Sequence, residues 1–301
     1  MCSYCRSRFG LQASWGMVGP LPTSSSHVPS LRAPHAAPAR PTAHGRWHAG
    51  RVRRPLALIA LALSALLAAT DAAAAPRVDE RELLGESTEG RPIRVFHRGD
   101  PEEIRVLVVG CIHGNECAGI PIARRLRTGP PRHFVDLWIL PSLNPDGGAA
   151  HTRQNARGVD LNRNFPYRWE PGPRGTYYPG PRPASEVETR IAMRLTRRIE
   201  PDITIWFHQP LALVDASGRD NRIERRYARM VGLPLVRLAR LHGTATSWQR
   251  HTIRGSEAFV VELDGGALAP RDARRYTDAV YRLVKPRRQS TEREGPTALR
   301  P

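Results

Sequence analysis

The chain has 301 residues, with 46 basic against 28 acidic side chains and a formal net charge of +18. Only Lys285 among the basic residues is lysine, and the arginines are spread along the chain without aromatic interleaving or a nucleic-acid motif. That pattern argues for GC-rich coding and against a nucleic-acid partner.

In chain order, the first 75 residues differ from the rest, with eight arginines and one acid, Asp71, in stretches rich in Pro, Ser, His and Ala. Residues 1–50 show neither helical nor strand periodicity and read as a disordered leader, with the true start expected near Met17 or Val52. Residues 51–74 read as a signal peptide. Arg51, Arg53 and Arg54 precede an apolar run of 14 residues, Leu56 to Ala69, and an Ala-x-Ala ending with cleavage after Ala74. The run is short for a membrane span, so export without a lasting anchor is expected. Cys2 and Cys5 then fall outside the mature protein.

Residues 76–285 alternate apolar runs with helical stripes, which predicts one α/β domain. Its fold class is a mixed, largely parallel twisted sheet with helices on both faces. Ile104–Gly110 and Val135–Leu140 read as strands, with a helix from about Asn115 to Leu126 between them. Residues 164–183 read as a long irregular loop. Ser185 and Glu188 have capping-box spacing before a helix whose stripe is Val187, Ile191, Leu195 and Ile199. Ile203–Phe207 is a strand leading into His208, and Ala258–Val261 one leading into Glu262. Ala273, Tyr276, Val280 and Leu283 mark a final helix, and residues 286–301 read as a flexible tail.

His113, His208 and Glu262 all follow apolar runs, and in open α/β sheets reactive side chains gather at the carboxyl ends of strands. His113-Gly114-Asn115-Glu116 offers an imidazole and a carboxylate three apart, a pair that zinc accepts when a third ligand is supplied and a position is left for water. Alone, that pair is more often a capping glutamate beside a surface histidine, and a histidine placed like His208 is usually a satisfied core histidine. Between them lie Asn144-Pro145-Asp146-Gly147, Arg153, and the run Gly158-Val159-Asp160-Leu161-Asn162-Arg163-Asn164-Phe165-Pro166.

Taken together, these motifs resemble the zinc carboxypeptidases, the M14 metallocarboxypeptidase family, over about residues 80–285. The resemblance implies one Zn²⁺ per chain, held by His113, Glu116 and His208 with water in the fourth position. It implies that Asp160 orients His113, that Asn162 and Arg163 grip the terminal carboxylate of the substrate, and that Arg153 stabilises the oxyanion. Glu262 is then the general base that takes the proton from zinc-bound water and passes it to the leaving amine. The loop before Glu262 lacks the mobile tyrosine of digestive members, and Tyr227 lies earlier, in a helix-like stretch. His208 follows Glu116 by only 92 positions. In this compactness the chain resembles bacterial members of the murein tripeptide amidase type, which cut between γ-D-glutamate and meso-diaminopimelate.

The expected reaction is hydrolysis of an amide bond next to a free carboxylate in a peptide, with cell-wall peptide as the partner. Two other readings share the fold: an N-acyl amino acid deacylase of the aspartoacylase or succinylglutamate desuccinylase type, and a non-catalytic wall-binding protein. The full Asn-Arg-Asn-Phe-Pro run and the export signal favour the peptidase, and no ligand or base is missing. Cys111 and Cys117 flank the metal motif, and either a bridge or two buried thiols fits the sequence.

Overall fold

The computed structural model describes residues 78–218 and 220–284, all within one compact unit, Ala65–Pro301. The leader, signal-peptide and tail expectations lie outside these residues. No helix among the described residues is long and apolar enough to cross a membrane.

The described residues open with an antiparallel hairpin, β1 (Val78–Glu86) and β2 (Pro92–Gly99), and continue through β3 (Arg105–Val109), α1 (Ile120–Thr128) and β4 (Asp136–Leu140). A short helix α2 (Pro145–Ala150) and a 3₁₀ turn (Leu161–Arg163) lead through the long loop to α3 (Val187–Ile199). Then come β5 (Ile203–His208), β6 (Leu211–Asp215), α4 (Arg222–Val231), β7 (Leu235–Val236), α5 (Ala245–Thr252), β8 (Glu257–Asp264) and α6 (Pro270–Val284).

These strands form one mixed eight-stranded sheet in the order β1-β2-β4-β3-β5-β8-β6-β7. Its middle, β4-β3-β5-β8, is parallel, while β2 and β6 run antiparallel against its two sides. The parallel strands are buried on both faces, so they read as continuous apolar runs. Alternate side chains divide the core. Val106, Val108, Ile205, Phe207 and Phe259 pack with α1, α4 and α6 on one face. Leu107, Val109, Trp206 and Trp248 pack with α3 and the Phe165 loop on the other. Helices therefore cover both faces of a largely parallel sheet, as expected.

Local expectations needed correction. The helix after the first strand begins at Ile120, so Glu116 lies in a tight turn and not in a first helical turn. The capping box at Ser185 does not form: Glu186 is the N-cap residue of α3, the Ser185 hydroxyl donates to Glu186, and Glu188 accepts from Thr88. Strand β8 runs through Glu262 to Asp264, so the glutamate sits inside the strand. The hairpin β1–β2 was not anticipated, because the edge strand β1 reads VDERELLGE and carries more charge than apolar alternation.

Candidate active site

Strand order brings the site together. β5 lies between β3 and β8, and His208 is the register partner of Glu262. His113 comes from the loop after β3, so three neighbouring strands supply side chains to one end of the sheet.

That loop is tightly held. Cys111 and Cys117 form a disulfide that closes the segment carrying His113 and Glu116. The Glu116 amide donates to the His113 carbonyl at 2.9 Å. Gln209, just after His208, accepts the Ala118 amide at 2.9 Å and donates to the carbonyls of Asp264 and Gly266. It ties the loop to the ends of β5 and β8, a role that sequence reading missed.

Nδ1 of His113 lies 2.9 Å and Nδ1 of His208 3.1 Å from Oε2 of Glu116, and the three groups offer ligand atoms within 4.8 Å of one another. Nε2 of His113 sits 2.9 Å from Oδ1 of Asp160, a fully buried carboxylate. An Nε2–H donated to Asp160 leaves Nδ1 as the atom that faces the Glu116 oxygen. At that distance either a proton or a metal ion lies between the two. Two imidazole nitrogens and one carboxylate oxygen are a donor set that zinc favours, and they open onto a cleft with space for further ligands. The residues present fit the metal.

The charges around the triad are strongly coupled. Burial works against the Glu116 and Asp160 carboxylates, but hydrogen bonds from the histidines outweigh it and hold both well below the usual range. Burial pulls His208 down to about 4. It pushes Glu262 up to about 7, helped by the Glu116 charge, and Oε2 of Glu262 is a buried oxygen without a hydrogen-bond partner. Arg153 donates to Glu116 at 2.5 Å and to Asp160 at 2.9 Å, so its guanidinium stands at the triad.

The cleft has a volume of about 780 Å³. It is lined by the triad and by Glu262, Arg153, Asn162 and Arg163. Asp160 is the buried anchor behind them: it caps the 3₁₀ turn through the Asn162 amide and holds His113 and Arg153. Asn162 accepts the Ala245 amide at 3.0 Å, and Arg163 donates to the Asn162 carbonyl at 2.7 Å. The expected metal, base, oxyanion and carboxylate-binding residues therefore line one cleft, with Asp160 buried behind them.

Tyr177 was not singled out. It is 62% exposed, with Arg153 and Arg163 over its ring at 5.1 and 5.5 Å. It comes from the Pro- and Gly-rich loop, where no periodicity marks it. Tyr227, by contrast, is fully buried in α4 and remote in role from the cleft lining.

Comparison with known proteins agrees with this geometry. A zinc carboxypeptidase family model matches residues 131–214. The murein peptide amidase A of Escherichia coli K12 is 34% identical over 172 residues, spanning 52% of this chain and 69% of that protein. The catalytic chain of human carboxypeptidase N is 35% identical over 114 residues, spanning 28% of this chain and 25% of that one. Among solved structures, the murein-tripeptide amidase of Escherichia coli O157 superposes with a TM-score of 0.59 at 26% identity, covering 72% of this chain and 96% of the other. The carboxypeptidase A of Helicoverpa armigera shares the fold, with a TM-score of 0.57 at 17% identity, 69% of this chain and 67% of the other being covered. With its buried His-Glu-His triad opening on an arginine-lined cleft, the chain belongs to the zinc carboxypeptidase family of hydrolases.

Proposed function

We propose that the protein hydrolyses the amide bond on the amino side of a residue with a free carboxylate, in a cell-wall peptide such as γ-D-glutamyl-meso-diaminopimelate. The observation that carries this reading is the convergence of the triad, Glu262, Arg153, Asn162 and Arg163 on one cleft.

His113, Glu116 and His208 would hold zinc, which when bound polarises the scissile carbonyl and lowers the pKa of a water toward about 7. Asp160 fixes the tautomer and orientation of His113. Glu262, held rigid inside β8, takes the proton from the attacking water and returns it to the departing nitrogen. Arg153 puts a fixed positive charge where the carbonyl oxygen becomes anionic, an effect commonly worth a factor of about 10² to 10³. Arg163 presents its planar fork to the substrate carboxylate, and Asn162 orients it.

Two things support a wall peptide: the 34% identical relative is a murein peptide amidase, and the amino-terminal segment has the order of a secretion signal. The expected location is the cell envelope, after cleavage behind Ala74.

The test is to incubate zinc-loaded mature protein with L-alanyl-γ-D-glutamyl-meso-diaminopimelate, ordinary dipeptides and N-acyl amino acids, and to identify the products by mass. Release of diaminopimelate supports the reading. Trimming of ordinary C-terminal residues alone would leave the peptidase and remove the wall substrate. Cleavage of N-acyl amino acids alone would replace the peptidase by a deacylase.

A further inference from the structure

The described residues hold 31 arginines against 25 acidic side chains, a formal net charge of +6. That surplus is not spread over the surface. Helices α1, α4 and α6 alone carry eleven arginines and three acids, a net of +8, which leaves the rest of the described fold at −2. The three helices cover one face of the sheet, with α6 packed against both α1 and α4. Segments far apart in sequence therefore meet in one cationic layer.

Helical spacing turns these charges outward. Arg222, Arg225, Arg226 and Arg229 fall on one side of α4, while Tyr227, Ala228 and Val231 enter the core. The four arginines of α6 and the three of α1 are exposed in the same way. Few acids answer them. Glu224 is buried, Asp272 pairs with Arg271 and Arg275 at 3.8 and 3.3 Å, and Asp278 stands one turn from Arg274, Arg275 and Arg282. Asp220, just before α4, pairs with Arg222 and also acts on Arg225. None of the eleven arginines lines the cleft, so a partner held on this layer leaves the active site free.

We propose that the layer docks the protein on the anionic wall polymer itself, the murein whose stem peptides carry the bond to be cut. The identity of the polymer rests on the proposed wall-peptide substrate. A γ-linked D-glutamate leaves its α-carboxylate free, and a diaminopimelate joined through one amine brings two carboxylates against one ammonium. Each uncrosslinked stem is therefore a cluster of excess negative charge, and arginine forks match carboxylates. Repeated charges on a polymer call for many weak contacts on an open surface and for no pocket. A bilayer is the poorer match. Helices that lie on membranes bury an apolar face among the headgroups, whereas the apolar faces of these three are already in the core. No large apolar side chain is exposed on any of them.

The experiment is co-sedimentation of the zinc-loaded mature protein with purified murein sacculi over a range of salt. Two triple variants with the same change in net charge are compared. Arg124→Gln/Arg229→Gln/Arg274→Gln takes one arginine from each helix of the layer. Arg182→Gln/Arg194→Gln/Arg254→Gln takes three exposed arginines from elsewhere. Wild-type binding is expected to weaken steeply as salt rises. The first variant should bind about 10-fold more weakly, since each lost contact is a surface ion pair, and the second within about twofold of the wild type. Both should keep the wild-type zinc content. Failure of the wild type to pellet at low salt would overturn the proposal, and so would binding indifferent to salt or equal weakening in the two variants. Tighter binding to anionic phospholipid vesicles or duplex DNA than to sacculi would overturn it as well. Activity is read separately. A protein that pellets as expected but cuts no wall peptide upholds the docking face and fails the substrate reading, while one that cuts wall peptides without pelleting does the reverse.

Discussion

Gly114 and Gly147 meet backbone against backbone: a Cβ added to Gly114 would stand 1.8 Å from the carbonyl carbon of Gly147. The metal loop thus sits directly on the Asn-Pro-Asp-Gly turn, whose own Gly147 has no room beside Asn144 and the Gln154 carbonyl. Asn144 caps α2 by accepting the Gly147 amide, which fixes the surface on which the loop rests. Gly114→Ala must push His113 and Glu116 off that surface. Overpacking of this kind costs about 1–3 kcal/mol. The variant is expected to melt several degrees lower and to bind less zinc than the wild type. An unchanged melting temperature with full zinc content would refute the contact.

The Asp160 carboxylate is expected to act on the metal through His113. Asp160→Asn keeps the volume but offers an amide in place of one carboxylate oxygen. It should weaken zinc binding by about 10- to 100-fold, the usual effect of losing a partner behind a ligand. His208→Ala removes one of the three proposed ligands outright and should leave below roughly 0.2 zinc per chain on elemental analysis. Competition with a chelator measures the first change. Wild-type retention of zinc in both variants would move the metal elsewhere.

Much of this site was legible in the sequence because buried parallel strands are apolar throughout, so His208 and Glu262 stand out as polar residues in such runs. His113 and Asp160 were legible through short motifs whose spacing reflects local turns. What sequence could not show was set by long-range contact. Glu188 is at capping-box spacing from Ser185, yet its carboxylate answers Thr88 and Asn155 from distant segments. Tyr177 lies in a loop with no periodicity, and only the fold carries it to Arg153 and Arg163. The charged edge strand β1 is recognisable only through its pairing with β2.

Asp146 should make stability depend on pH in acid. Its carboxylate accepts from the Ser87 hydroxyl at 2.6 Å, the Glu89 amide at 3.0 Å and Arg91 at 2.8 Å, pinning the β1–β2 turn to α2. Burial alone would raise its pKa, but these donors outweigh it and hold the carboxyl below the usual range. The stabilisation is therefore complete above the unfolded carboxylate pKa of about 4 and is lost as pH falls through the lower folded value. Asp146→Asn is expected to be less stable by about 1–3 kcal/mol at neutral pH. In denaturant melts the gap from the wild type should narrow below about pH 4. A gap independent of pH would show that the charge is not what pins the turn.

Arg163 and Glu262 should fail in different ways. In the proposed reaction the substrate carboxylate is present in both ground and transition states, so Arg163→Ala is expected mainly to raise KM. Proton transfer occurs only on the way over the barrier, so Glu262→Gln should abolish turnover while zinc stays bound. Steady-state kinetics with zinc analysis separates the two. Loss of zinc from Glu262→Gln would recast that residue as part of the metal site.

Tyr177 is exposed, so the fold has little need of it, yet its ring carries two guanidiniums. Arg153 and Arg163 both stand beside Asp160 and repel each other, and the negative face of the ring that both approach offsets part of that repulsion. At an exposed site each such contact is worth about 0.5–1 kcal/mol. Loss of both contacts in Tyr177→Ala is therefore expected to raise KM by about 5- to 30-fold with a smaller effect on kcat. Tyr177→Phe keeps the ring face and loses only the hydroxyl, so it should behave within about twofold of the wild type. If Tyr177→Phe loses kcat as badly as Tyr177→Ala, the hydroxyl and not the ring is at work, and the residue belongs with the proton-transfer groups. Unaltered kinetics in Tyr177→Ala would reduce it to part of the rim.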